Sequence, residues 1–326
     1  MIKAILLFIL GLILLIKGGD FFVDGATEIA RKYHVPELLI GATIVSIGTT
    51  LPEVLVSSEA AIIGHGEIAY GNAIGSIICN TSLISAITML IRPSGIDKKA
   101  LKIPAIFFFV AAIFYSATAY ITGYFSRIIG IILLGIFAIY LFFTIREAFS
   151  KRNPTDDKDT SKKEDAPITG KMLFVAIVKL VIGAACIAIG ANLLVDNGTI
   201  IARELGVPES VIGLTIVALG TSLPELVTAI TALAKGHSAL SVGNIIGANL
   251  LNLVLVSGLA TTLSPFKVPS SKLAFGANAS LVVDIPLMFI VMIIMIVPSI
   301  IKGQIKRWQG ALLLTIYTGF CIFQFL

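Results

Sequence analysis

The sequence predicts an all-α polytopic membrane protein: ten transmembrane helices, arranged as two inverted five-helix repeats with broken helices at the midplane. Three observations carry this expectation. The 326-residue chain is 57% hydrophobic and only 13% charged, far fewer charges than a soluble domain needs to cover its surface. Apolar stretches long enough to cross a bilayer recur along its length. The first half of the chain also reappears, without a gap, in the second.

A helix needs roughly 20 mostly apolar residues to cross the hydrocarbon core. Ten segments qualify, near residues 4–22, 38–63, 68–91, 103–122, 126–146, 172–195, 210–234, 239–263, 273–299 and 308–325. The first follows Lys3 and has the charge pattern of a signal peptide. No small-x-small cleavage site follows it and the region recurs internally, so it is expected to stay as a span. The net charge of +5 lies in membrane-flanking loops and does not imply a nucleic-acid partner. Cys79, Cys186 and Cys321 fall in apolar segments without metal-ligand spacing, which predicts free thiols.

The repeat is read directly. Residues 41–54, GATIVSIGTTLPEV, match residues 213–226, GLTIVALGTSLPEL, at nine of fourteen positions. The same offset of 172 aligns VDGATEIARKYHVPE (23–37) with VDNGTIIARELGVPE (195–209), and GNAIGSIICN (71–80) with GNIIGANLLN (243–252). Each copy holds five spans. Five is odd, so the second copy enters the membrane from the opposite side, a recurring architecture of secondary transporters. The expected organisation is a first repeat over 1–146, a charged linker over 147–171 and a second repeat over 172–326. The linker is polar, Pro-containing and nearly charge-balanced, as a flexible connection is.

Loops after the odd-numbered spans hold 17 Lys and Arg, against 5 in the N-terminal tail and the loops after even-numbered spans. Basic residues collect on the cytoplasmic side. The expectation is a multi-pass protein of the cell membrane with a cytoplasmic linker and both termini extracellular.

Glu53 and Glu225 occupy matching positions in the second and seventh predicted spans. A carboxylate in the middle of an apolar helix is costly unless something neutralises it. Pro52 and Pro224 lack an N–H, so each deprives the carbonyl four residues earlier, on Gly48 or Gly220, of its helical partner. Freed carbonyls in a membrane helix need satisfaction, and a cation can provide it. Thr49 and Thr50, with Thr221 and Ser222, add hydroxyl oxygens one turn before each Glu. Such oxygens suit Na⁺ and Ca²⁺ better than zinc or copper. The GNAIGS and GNIIGA motifs offer a small-residue face for close helix approach. In the first copy Ser76 and Asn80 share that helix's polar face; the second has Ala248 and Asn252. Two carboxylates balance one Ca²⁺ or two Na⁺, and an empty site leaves unpaired charge in low dielectric, which favours obligatory exchange.

The paired motifs, GTTLPE with GNAIGSIICN and GTSLPE with GNIIGANLLN, resemble those of the calcium/cation antiporter superfamily, most closely its prokaryotic sodium/calcium exchanger branch. The resemblance covers almost the whole chain. It implies a ten-helix fold, exchange of Ca²⁺ for several Na⁺, and alternating access by sliding of the first and sixth helices across a fixed core. It places Ca²⁺ between Glu53 and Glu225, with backbone oxygens near Thr49 and Thr221. It assigns Na⁺ to Ser46, Thr50, Glu53 and Ser76 in one copy and to Ala218, Ser222 and Glu225 in the other, Ser46 and Ala218 acting through main-chain carbonyls. Asn80 is implied as a further central ligand. This chain departs from the sodium/calcium pattern at Ala248, where that pattern has Ser, and at Asn252, where it has Asp.

The competing reading is an antiporter of Ca²⁺, or of another divalent cation, for H⁺. An intramembrane enzyme needs a nucleophile–base pair or HExxH-type ligands, and no histidine lies beside a motif. The expectation is therefore no catalytic residue, no cofactor and no obligate protein partner, with membrane lipid and the transported ions as the partners. Elsewhere, Asp24 and Asp196 are expected in interfacial caps or salt bridges. Lys17 and Asp20, three apart, are placed to pair with each other.

Overall fold

A computed structural model describes residues 2–150, 170–206, 220–270 and 272–325. The chain forms helices α1 (Ile2–Tyr33), α2 (Glu37–Ile62), α3 (Gly66–Ile91), α4 (Lys98–Thr122), α5 (Arg127–Ser150), α6 (Gly170–Glu204), α7 (Leu223–Ala234), α8 (Ser238–Leu263), α9 (Ser280–Lys302) and α10 (Arg307–Phe325). Among the described residues, eight of these are long and apolar enough to cross a membrane against the ten expected; α7 is shorter, and α10 is not among the eight. Most of the expected charged linker, and the first half of the seventh expected span, lie outside the described residues.

α1 and α6 exceed their predicted spans. At 1.5 Å per residue, the 32 residues of α1 reach about 48 Å, beyond a hydrocarbon core of about 30 Å. A hydropathy window stops at the polar stretches starting VDGATEIAR and VDNGTIIAR, but nothing in them ends a helix. The two helices form an antiparallel pair in an apolar cluster that includes Leu15, Phe22, Ala26, Ala176 and Ile187 and is shared with Ile40 and Val45 of α2, Ala232 of α7 and Leu240 of α8. Small residues recur every seven positions along their contact: Gly11, Gly18 and Gly25 face Gly190, Gly183 and Ala176. The approach is backbone to backbone, since a Cβ on Gly18 would stand 2.9 Å from Ile187 N, and one on Gly183 only 2.5 Å from Phe22 N. Ile13, Ile16, Val181 and Ile189 on the same pair point outward and are exposed, as lipid-facing side chains are.

The remaining helices enclose a second, larger cluster that includes Tyr70, Phe108, Tyr115, Phe125, Tyr140 and Met292. α2 and α8 touch through glycine. A Cβ on Gly243 would lie against Leu38 O, and one on Gly247 2.6 Å from Ala42 Cα, so the GNIIGA motif is a close-packing face as its spacing predicts; GNAIGS is not, since a Cβ on Gly71 or Gly75 would meet nothing within 4 Å.

Short backbone ladders tie the loops together. Tyr124–Phe125 pairs antiparallel with Phe266–Lys267, and Gly95 bridges Gln304. Ile96 N donates to Gly303 O and Val268 N to Gly123 O, each at 2.9 Å. Ile96 and Val268 are related by the 172-residue offset, so matching loops make matching bonds.

Among the described residues, four π-helical turns occur within or at the start of helices, at Gly41–Val45, Asn80–Ile84, Asn252–Val256 and Ser280–Asp284. The second and third coincide under the same offset, each beginning with asparagine. Such turns commonly mark functional sites. The carbonyls they loosen find side-chain donors: Ser257 Oγ donates to Asn252 O at 3.0 Å, and Ser82 and Ser85 donate to the carbonyls of Ile78 and Thr81.

The two proline motifs differ. α2 runs through Pro52 as continuous α-helix, so the expected break is not seen there. One missing donor does not end a helix whose neighbouring turns are held by packing, and membrane helices tolerate the loss. In the second copy Thr221 and Ser222 form a turn, and helix restarts at Leu223 with Pro224 in its first turn. Proline is unstrained at that position.

Candidate cation-binding site

α2 and α7 bring the two motifs together. Glu53 and Glu225 are both completely buried. Thr50 Oγ1 donates to Glu225 Oε1 at 3.4 Å, joining a hydroxyl of the first motif to the carboxylate of the second. Thr49 Oγ1 stands 3.2 Å from Asn244 Oδ1, joining the first motif to the small-residue face of α8. Pro52 and Pro224 line one small space together with Gly48, Thr49 and Phe22.

α3 and α8 supply the remaining wall. Ser76, Asn80 and Asn252 are buried, as are Ser46, Thr49, Thr50 and Ser222; Thr221 is half-buried. Ala218 lies outside the described residues. Ser46 Oγ donates to Thr43 O at 3.1 Å, which keeps its side chain occupied within its own helix. Ala248 is fully buried on α8, one turn before Asn252.

The distinctive feature is the polar atoms without protein partners. Both carboxylate oxygens of Glu53, Oε2 of Glu225, Oγ of Ser222, and the oxygen and nitrogen of both Asn80 and Asn252 are buried without a hydrogen bond. Buried polar groups are nearly always paired, and each orphan is costly. Here orphans converge on one region and most are oxygens. Hard oxygen donors with two carboxylates suit an alkali or alkaline-earth cation. Among the described residues, no group of three His, Cys, Asp or Glu side chains is placed to hold a metal ion. Neutral oxygens therefore have to complete any cation's shell.

Sequence reasoning passed over several polar residues here. Asn72 Nδ2 donates to Ser57 Oγ at 2.8 Å and to the main-chain oxygen of Glu53 at 3.4 Å, and its counterpart Asn244 meets Thr49. Both are the Asn of the Gly-Asn motifs, so the repeat itself held the signal. Asn249 Nδ2 donates to Thr81 Oγ1 at 2.7 Å and reaches Met292 Sδ at 3.2 Å. Neither Asn249 nor Thr81 has a polar counterpart in the other copy, so the repeat did not flag them.

α1 and α6 press on the site from outside. A Cβ on Gly48 would stand 2.9 Å from the tip of the Phe22 ring, and one on Gly220 2.4 Å from Val195 Cγ2. The helix that carries Phe22 also carries Asp20, which pairs with Lys235 rather than with Lys17 as its spacing suggests.

An all-α polytopic membrane fold around a buried pair of carboxylates is the architecture of a transporter. The chain belongs to the sodium/calcium exchanger protein family, whose model matches residues 3–146 and 175–326. That is a family of exchangers, not of catalytic enzymes. The sodium/calcium exchanger MaX1 of Methanosarcina acetivorans is 32% identical over 98% of each chain. The inner membrane protein YrbG of Escherichia coli is 35% identical over 89% of this chain and 88% of its own. A structure of the sodium-calcium exchanger NCX_Mj soaked with Na⁺ and Ca²⁺ superimposes with a TM-score of 0.80, at 32% identity over 98% of this chain and 97% of that one.

Proposed function

We propose that the protein is a secondary active antiporter that exchanges Ca²⁺ for Na⁺ across the cell membrane by alternating access. The observation that carries the proposal is the convergence of orphaned oxygens around Glu53 and Glu225. In this reading the ions bind near the midplane, between two inverted five-helix repeats covering 1–146 and 172–326. The coincident π turns and matching loop bonds support that symmetry. Ca²⁺ is held by Glu53 and Glu225 with oxygens of Thr49 and Thr221. Na⁺ uses Ser46, Thr50, Ser76 and the two carboxylates, with Ala218 and Ser222 in the second copy and Asn80 and Asn252 at the centre. The basic-residue bias puts the linker in the cytoplasm and both termini outside.

The mechanism follows from charge. Two buried carboxylates without counter-ions are too costly to carry across a low-dielectric core. One Ca²⁺ or a set of Na⁺ neutralises them, so the loaded forms cross and the empty form does not. In this reading α1 and α6, packed backbone to backbone through Gly11, Gly18, Gly183 and Gly190, move as a unit over the site. A second reading, exchange of Ca²⁺ for H⁺, is favoured by one observation: Ala248 presents no hydroxyl where the first copy has Ser76. Uptake of radioactive Ca²⁺ into reconstituted vesicles, with Na⁺ and H⁺ gradients imposed separately, separates the two. Uptake driven by outward Na⁺ supports the first reading; uptake that ignores Na⁺ and follows H⁺ overturns it.

A further inference from the structure

Lys235 lies in the short connection between α7 and α8. Its Nζ stands 2.8 Å from Asp24 Oδ1, 3.2 Å from Asp20 Oδ1 and 3.0 Å from Asp20 O. Both aspartates belong to α1, one turn apart on one face. A single cation thus binds three oxygens of the helix that covers the site, from a base fixed to the enclosing core. Burial works against the charge on Lys235, but its hydrogen bonds to Asp24 and Asp20 outweigh this and hold its pKa above the ordinary lysine value.

Among the described residues, this three-oxygen clamp is seen on one face only. His237 Nδ1 lies 2.8 Å from Glu37 Oε1, so the α7–α8 connection sits at the Glu37 end of α2. The α2–α3 connection sits at the other end, about 39 Å away along 26 helical residues. Under the 172-residue offset Asp24 corresponds to Asp196 on α6, while Lys235 corresponds to Ile63. Of the two acids only Asp24 is repeated, Asp20 corresponding to Asn192, and the base is not repeated.

We propose that Lys235, Asp20 and Asp24 form a one-sided ionic clamp that holds α1 against the core at the α7–α8 face and so biases the protein toward one of its two access states. The inference rests on the antiporter reading, because it needs α1 to move relative to the core. A one-turn slide of α1 that carries Asp24 past Lys235 leaves only Asp20 within its reach, so the clamp loses one of its two carboxylates, and among the described residues nothing equivalent stands at Ile63. The two states are therefore unequal even where the ion site is nearly symmetric. The apparent affinity of each face scales with the fraction of protein open to it. A bias between states strengthens binding on one face and weakens it on the other.

The test uses the intact chain as wild type, Lys235→Ile, Ile63→Lys and the double swap. Ca²⁺ affinity is measured from each side in oriented vesicles. Lys235→Ile is expected to move the ratio of the two affinities by threefold or more, with one face gaining and the other losing. The double swap, which offers an ammonium at position 63 to Asp196, is expected to push the ratio in the same direction and further. Equal weakening on both faces marks a merely structural salt bridge and overturns the proposal, as does an unchanged ratio. Hydrogen–deuterium exchange in nanodiscs reads the clamp without transport. The double swap should raise exchange across 232–238 and lower it across 60–66. Reciprocal exchange in a protein that carries no Ca²⁺ sinks the antiporter reading and leaves the clamp; exchange rising at both ends, or at neither, sinks the clamp.

Discussion

Thr50 Oγ1 lies 3.4 Å from Glu225 Oε1, so one repeat's hydroxyl serves the other repeat's carboxylate. Neither motif forms half of the site by itself. Thr50→Val removes the donor with little change of shape. A hydrogen bond to a charged group contributes about 1.5–3 kcal/mol, so the variant should lose about tenfold or more in apparent Ca²⁺ affinity. Concentration-dependent Ca²⁺ uptake checks this, with size-exclusion elution as the fold control. Unchanged affinity would place Thr50 outside the ion's surroundings.

The carboxylates themselves set a stronger expectation. Glu53→Gln and Glu225→Gln keep the volume and remove the charge. Loss of one partner from a buried charged cluster costs about 2–5 kcal/mol, and Ca²⁺ uptake should fall about a hundredfold or more in each variant. Retained uptake in both would contradict the proposed site.

The inequality of the copies gives a gain-of-function test. Ala248 is fully buried one turn before Asn252. Ala248→Ser restores the hydroxyl that Ser76 provides in the first copy. Lower Na⁺ concentrations should then half-inhibit Ca²⁺ uptake, while Ca²⁺ affinity changes little. If Na⁺ inhibition is unmoved, position 248 does not face the cation.

Packing makes its own prediction. A Cβ on Gly18 would meet Cys186 Cβ at 2.8 Å and Ile187 N at 2.9 Å, and the backbone of α6 cannot yield cheaply. Gly18→Leu should force α1 and α6 apart and lower stability by about 1–3 kcal/mol. Thermal unfolding in detergent reads this directly. Gly135, where a Cβ meets nothing within 4 Å, is the control position: Gly135→Leu should leave the melting temperature nearly unchanged.

Asn249 tests a contact that only the folded chain reveals. Its amide donates to Thr81 Oγ1 at 2.7 Å in a fully buried setting. Asn249→Leu removes the amide donor and leaves that hydroxyl only the weak Met292 Sδ acceptor at 3.2 Å, which should destabilise the protein by about 1–3 kcal/mol. Pairing it with Thr81→Val should recover part of the loss in the same melting assay.

The chain's repetition made much of this legible in advance. Glu53 and Glu225 stand out because a costly residue occurs twice at one offset, and coincidence does not repeat a penalty. The i, i+4 glycine spacing predicts close packing in both copies, yet only Gly243 and Gly247 meet a neighbouring backbone, while Gly71 and Gly75 face open space. The extra length of α1 and α6 was not legible, because hydropathy reports where lipid ends and not where a helix does. Pro52 predicts a break, yet its helix continues, since a membrane helix tolerates one lost hydrogen bond.

The sequence alone determined that this is a membrane protein, that it is built from two related halves, and which carboxylates lie within its helices. These properties follow from local composition and from comparison of the chain with itself. The tertiary structure decided which side chains meet. Thr50 with Glu225, Asn249 with Thr81 and Lys235 with Asp24 each join residues more than 150 positions apart. Such pairings depend on how helices cross and on where a π turn rotates a face, and neither quantity is written in local periodicity.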